Sequence, residues 1–113
     1  MTAKRMALEL GMGTDVRGGD STKAAARALR DALWRNSLSI AKALGQDPKD
    51  MHVDIRIGVP NPETVRREEV LAVVPYGTPE LTVIEGGLEV ANEDNSDVML
   101  LAHAAVIVRL DVA

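Results

Sequence analysis

Residues Val98 to Val112 form an unbroken alternating run. Val98, Leu100, Ala102, Ala104, Val106, Val108 and Leu110 are all apolar, whereas Met99, Leu101, His103, Ala105, Ile107 and Arg109 are mixed. Successive side chains of a strand point to opposite faces, so this pattern specifies one long strand with one face packed and the other differently used. Such a strand cannot bury its apolar face alone. It needs neighbouring strands and a covering layer, and the rest of the chain must supply both.

Three further strands are predicted. Arg5 to Met12 alternates with Met6, Leu8 and Leu10 on one face, which reads as a half-buried strand. Met51, Val53, Ile55, Ile57 and Val59 alternate with His52, Asp54, Arg56 and Gly58, and Leu81 to Glu85 is a third short run before Gly86-Gly87. Between the first two, Gly11 to Asp20 holds four glycines and two aspartates and reads as a loop. Asp20 or Ser21 then caps a helix carrying Ala25, Ala28, Leu29, Ala32 and Leu33 on one side, and this helix, or a pair with a break near Asn36-Ser37, ends at Gly45. Asn61-Pro62 starts a second helix running to about Val73, closed by Pro75 and Gly77, and residues 91–96 form a polar connecting loop. The expected architecture is therefore one α+β domain over residues 1–113, of order β-α-β-α-β-β, with a mixed four-stranded sheet and two helices on one face.

Hydrophobic residues make up 46% of the chain but aromatics only 2%, with no Phe, so Val, Leu, Ile, Met and Ala must fill the core. Such a core favours close backbone approach. Without cysteine there are neither disulfides nor thiolate ligands, which agrees with a reducing compartment. Met1 to Arg5 leads into a strand without the apolar stretch of a signal peptide, and no segment reaches membrane-spanning length, so a cytoplasmic, soluble chain with no membrane partner is expected. Thirteen basic against seventeen acidic residues, with no basic cluster flanked by aromatics, leave no footprint for nucleic acid.

Two helices cover one side of a four-stranded sheet. The other side carries Met99, Leu101 and Ile107 beside Glu9, His52, Arg56 and His103. It is either a solvated antiparallel face or the contact surface of a homo-oligomer, and the recurrence of apolar residues on one face of one strand favours association.

Several constellations bear on chemistry. Glycines and a helix N-terminus at Gly11 to Asp20, with Asp15, Arg17 and Lys23, can attract an anion, although the spacing is not that of a phosphate loop and a glycine-rich turn with a capping aspartate explains it equally. His52 and His103 lie on strands without metal-binding spacing and read as structural, so neither a metal nor a cofactor is expected. Arg56 and Arg109 suit a carboxylate or carbonyl held between subunits, the alternative being an ion pair with Asp54 or Asp111. Glu85-Gly86-Gly87-Leu88-Glu89 sets two carboxylates around a flexible break, or else forms a β-bulge.

Gly11-Met12-Gly13-Thr14-Asp15 with Asp20-Ser21-Thr22-Lys23-Ala24-Ala25 resembles a small, functionally uncharacterised family of single-domain bacterial proteins over most of the chain. That stretch and Val83-Ile84-Glu85-Gly86-Gly87-Leu88-Glu89 are also similar to single repeats of the ring-opening amidohydrolases, the cyanuric acid hydrolase and barbiturase family. Those enzymes carry three such repeats per chain, in an order shared in outline with trimeric chorismate mutase and the reactive-intermediate deaminases. The resemblance therefore implies a homotrimer with ligand clefts between copies. The hydrolases use serine–lysine pairs, and the matching positions here hold Glu85 and Met12. Met12 cannot act as base or charge, while Glu85 is a poor acyl nucleophile and a plausible general base.

The expected function is a homo-oligomeric small-molecule-binding protein with intersubunit clefts for a polar carbonyl- or carboxylate-bearing ligand, of hydrolase, deaminase or isomerase type. Arg56 and Arg109 hold the ligand, Glu85 acts as base, and Asp15, Lys23, Gly86 and Gly87 line the site. The contrasting reading is a non-catalytic metabolite sensor or accessory subunit.

Overall fold

The structure, a computed structural model, describes residues 2–34 and 37–112. The long alternating run is present as β5 (Val98–Val112). Antiparallel to it over its whole length lies β1 (Thr2–Asp15), from Thr2 opposite Val112 to Asp15 opposite Leu100. The other edge of β5 is shared by two strands placed end to end. β2 (His52–Val59) pairs antiparallel with its C-terminal part, and β4 (Leu88–Ala91) takes the remainder, with Leu88 opposite Leu101. β3 (Thr78–Glu85) runs parallel to β2, giving the order β1-β5-β2-β3 with β4 beside β5. Helices α1 (Ser21–Leu33), α2 (Ile40–Ala43) and α3 (Arg67–Leu71) complete the described elements.

The α+β class holds, but among the described residues the sheet has five strands and there are three α-helices, against the expected four and two. The extra strand arises at Gly86-Gly87. The chain leaves β3 there and crosses the end of β2 to reach β5. A Cβ on Gly86 would lie 3.0 Å from the Gly58 Cα, and Gly87 has φ +66 with its missing Cβ directed at the Leu101 carbonyl. Neither position has space for a side chain.

The helix expected over residues 62–73 is shorter than its cap suggested. Asn61 takes a left-handed φ of 54 and makes no side-chain cap, and Pro62–Thr64 form only a 3-10 turn. Val65 then turns extended and buries its side chain, while the Arg66 N–H donates to Thr22 Oγ1 (2.9 Å) before α3 begins. Between α1 and α2, Asn36 lies outside the described residues, so the break expected there falls partly beyond them. Gly45, with φ +72, ends this helical region as anticipated.

β1 differs most from expectation. Gly11 to Asp15 belong to the strand, not to a loop, and the register shifts between Arg5 and Ala7. Beyond that shift Gly11, Gly13 and Asp15 face the helices, whereas Leu8, Leu10 and Met12 point away and are 47%, 63% and 58% exposed. Glu9, opposite Val106, is likewise on the helix side and not on the open face. A Cβ on Gly11 would sit 2.5 Å from the Ala28 carbonyl oxygen, and one on Gly13 2.5 Å from the Ala24 carbonyl oxygen. The backbone of α1 thus lies directly on the strand. Ala24, Ala28 and Ala32, all fully buried, are the helix's matching small residues.

Beneath α1 the core joins Leu29 to Met51, Val53, Ile55 and Ile57 of the β2 region and to Leu100, Val106, Val108 and Leu110 of β5, with Val70 of α3 at one side. Gly13→Ala forces strand and helix apart and should cost about 3 kcal/mol, an overpacking penalty at the upper end of the usual range. Gly45→Ala, at positive φ with nothing within 4 Å, should cost only about 1 kcal/mol of backbone strain. Urea unfolding of the two variants beside the parent measures the difference. Equal losses would mean that the strand glycines are not what admits the helix.

Candidate functional site

The open face of the sheet is ordered in rows by strand register. One row runs Arg5, Arg109, His52, Thr78, and the next Leu8, Ile107, Asp54, Glu80. These are followed by Leu10, Ala105, Arg56, Thr82 and then Met12, His103, Gly58, Ile84. Beyond the end of β2, Leu88 and Val90 lie beside Leu101 and Met99. One end of the face is therefore charged and the other apolar.

At the charged end Asp54 is the hub. Its Oδ2 accepts from Arg56 Nη2 (2.9 Å) and Arg109 Nη1 (3.3 Å). The Asp54 side chain is 15% exposed, that of Arg56 57%. Desolvation pushes the Asp54 carboxyl upward, but hydrogen bonds and charge from the two guanidinium groups outweigh it and hold it below the ordinary carboxylate range. Each guanidinium has five N–H donors, and Asp54 takes one from each in this arrangement. Beside this cluster His52 Nε2 lies 3.4 Å from Asp111 Oδ2. A cleft of about 460 Å³ there is lined by Gln46, Lys49, Asp50, His52, Thr78 and Asp111. The structure thus brings Arg56 and Arg109 together, with the Asp54 pairing that was the alternative for them.

Asp15 and Lys23 lie on the opposite, helical side. Asp15 is 4% exposed and accepts from the Asp20 N–H (2.8 Å) and Arg27 Nη1 (3.4 Å). Asp20 is the N-cap of α1, accepting from Thr22 N–H (2.9 Å) and Lys23 N–H (3.2 Å), while Ser21 Oγ donates to the Pro60 carbonyl (2.5 Å). Partial burial raises the Asp20 pKa, but the Lys23 and Thr22 amides and Arg66 together bring it below the ordinary value. Gly18 N–H donates to Asp97 Oδ1 (3.0 Å), and Met12 N–H to Asp31 Oδ2 (2.9 Å). Amides that offered themselves to an external anion are thus met by the chain's own carboxylates, and the Lys23 side chain stays at the surface.

Glu85 ends β3 and pairs in register with Val59, on the helix side of the sheet, so it stands apart from Arg56 and Arg109. Gly86 and Gly87 serve the crossover to β4. His103 is exposed between Met12 and Gly58 in the apolar half. Among the described residues no three His, Asp or Glu side chains are grouped to hold a metal. No helix among them is long and apolar enough to cross a membrane.

The sequence offered Asp54 as one of two partners for the arginines, and in the structure it pairs with both. The signal was present, because Asp54 and Arg56 are two apart on one strand and so share a face. Asp54 has a depressed folded pKa, so its stabilisation is present above its unfolded value near 3.8 and is lost as pH falls through the folded value. Asp54→Asn should therefore lower the urea midpoint clearly at pH 7, and the gap to the parent should close toward pH 2. A gap independent of pH would exclude the charged pairing as its source.

A family model for a conserved hypothetical protein, Lin0512_fam, matches residues 5–108. A crystal structure described as that of an FtsZ-like protein of unknown function from Nostoc punctiforme is also similar to this chain. It is 42% identical over 99% of each chain, with a TM-score of 0.86. No curated protein matches.

Proposed function

The chain belongs to the Lin0512 family of conserved hypothetical proteins, and we propose that it is a cytosolic homo-oligomeric binding protein. In this reading the open sheet face is the contact between copies, and its charged end receives a polar carboxylate- or carbonyl-bearing ligand. The supporting observation is the face itself. Leu10 and Met12 of β1, Ile84 of β3, Leu88 and Val90 of β4 and Met99 of β5 are each about half exposed on this one face, with His103 and Gly58 between Met12 and Ile84. Six large apolar residues exposed on one face of a sheet are a mark of an interaction surface.

A second copy suits it because the charged rows hold both signs, Arg5, Arg56 and Arg109 with Asp54, Asp111 and Glu80, so the surface complements itself. The resemblance to single repeats of the ring-opening amidohydrolases makes three the favoured number of copies. Asp54 anchors two guanidinium groups side by side, and their remaining N–H donors form a fork for a planar oxyanion. Glu85 on the other side of the sheet, and methionine at position 12, favour binding over the hydrolases' chemistry.

Light scattering at micromolar concentration tests the assembly. The parent should be oligomeric, and Leu10→Glu with Met99→Glu should make it monomeric with an unchanged far-UV circular dichroism spectrum. A parent that is already monomeric removes the proposal. For the ligand, a thermal-shift screen of small carboxylates and cyclic ureides should find a stabiliser whose affinity falls about tenfold in Arg56→Gln or Arg109→Gln, the loss of one charge-assisted contact. Stabilisation unaffected by either change would place the ligand elsewhere.

A further inference from the structure

The helical side of the molecule carries a cleft of about 470 Å³ between the end of α1 and the segment after α3, lined among others by Arg30, Leu33, Trp34, Leu38, Val73 and Tyr76. It holds the only tryptophan and the only tyrosine of the chain. The core needs neither ring, since it is aliphatic throughout. Trp34 is 84% exposed and Tyr76 40%.

Their placement is set by the backbone around them. Trp34 is the C-cap of α1, its N–H donating to the Arg30 carbonyl (2.9 Å). Tyr76 precedes Gly77, whose φ of +98 turns the chain into β3 and whose absent Cβ would meet Val53 and Met51. A chain with so few aromatic residues has put both at the rim of one hollow.

Charge gives the hollow a polarity. Among the described residues Arg30 is the one charged side chain lining it, is exposed, and has no carboxylate partner. Lys23, Arg27 and Arg30 follow one another at helical spacing on the outer face of α1, where Arg27 is paired with Asp15 and Arg30 lies next to Trp34 in the cleft. The single acid of α1, Asp31, is turned to the Met12 amide instead. A protein of net charge −4 thus places an exposed guanidinium beside its two aromatic rings.

We propose that this cleft is a separate ligand site for a small molecule that joins a flat apolar ring system to an anionic group such as a carboxylate. The ring lies against Trp34 and Tyr76, whose faces accept planar partners in offset stacks, and the anion pairs with Arg30. A volume of about 470 Å³ falls in the range of small-molecule sites. The competing role for Arg30, complementing the C-terminal dipole of α1, requires no ligand.

The lone indole N–H of Trp34 is a unique proton–nitrogen NMR signal and reports on the cleft directly. With full-length protein, 2-naphthoate should shift that signal saturably, and uncharged 2-naphthamide should bind about tenfold more weakly, having lost the charge-assisted contact. Arg30→Gln, which keeps a good helix former at the surface, should erase the difference between acid and amide. Tyr76→Ala should weaken both probes. Glu93→Gln, in the exposed polar loop after β4, should change neither. No saturable shift of the indole signal, equal binding of acid and amide to the parent, or unaltered naphthoate affinity in Arg30→Gln would each overturn the assignment.

Discussion

The backbone of α1 rests on the backbone of β1 at Gly11 and Gly13, with Ala24, Ala28 and Ala32 as the facing residues. Side chains normally hold a helix well off a sheet, and here that spacing is removed along one strand. The consequence reaches the whole layer. With α1 so close, Leu29 reaches the centre of the sheet and packs with Ile55 and Val106, and a core without Phe still closes. The same contact decides the roles of β1's two faces. Because the glycines and Asp15 take the helix side, Leu8, Leu10 and Met12 are turned outward.

A second glycine contact shapes the open face. Gly58, Gly86 and Gly87 let the chain pass over the end of β2, so that β4 continues the sheet beside β5 where β2 has ended. This adds Leu88 and Val90 to the row of apolar residues begun by β1 and β5. The patch is thus assembled from β1, β3, β4 and β5, and each contributes only one or two residues. The charged end has the opposite origin, being built within β2 and β5 around Asp54.

The two sides of the sheet use charge differently. On the helical side carboxylates are consumed by the fold: Asp20 caps α1, Asp15 ties Asp20 to Arg27, and Asp97 holds the Gly18 amide. On the open side Asp54 accepts from two arginines, Arg56 and Arg109. Residues that looked alike as candidates, Asp15 and Lys23 against Arg56 and Arg109, are therefore separated by what surrounds them. Both arginines are held at one carboxylate, with the Arg56 side chain 57% exposed and that of Arg109 31%.

The sequence by itself determined β2, β5 and the main helix, because alternation in Val98 to Val112 and Met51 to Val59 and the alanine stripe of α1 are local patterns with local causes. It also narrowed the α1 cap to two adjacent residues, of which Asp20 takes the role. The pairing of Arg56 with Asp54 was visible as a possibility, since residues two apart on a strand share a face. Only the tertiary structure decided what the glycines are for. Gly is selected both where φ is positive, as at Gly18 and Gly19, and where a Cβ would strike another backbone, as at Gly11 and Gly13. Composition cannot separate these two uses, so a strand segment read as a loop and the facing of β1 was inverted. The cleft between Trp34 and Tyr76 lay equally beyond local reading: it joins residues from two connections that meet only once the helices have packed on the sheet.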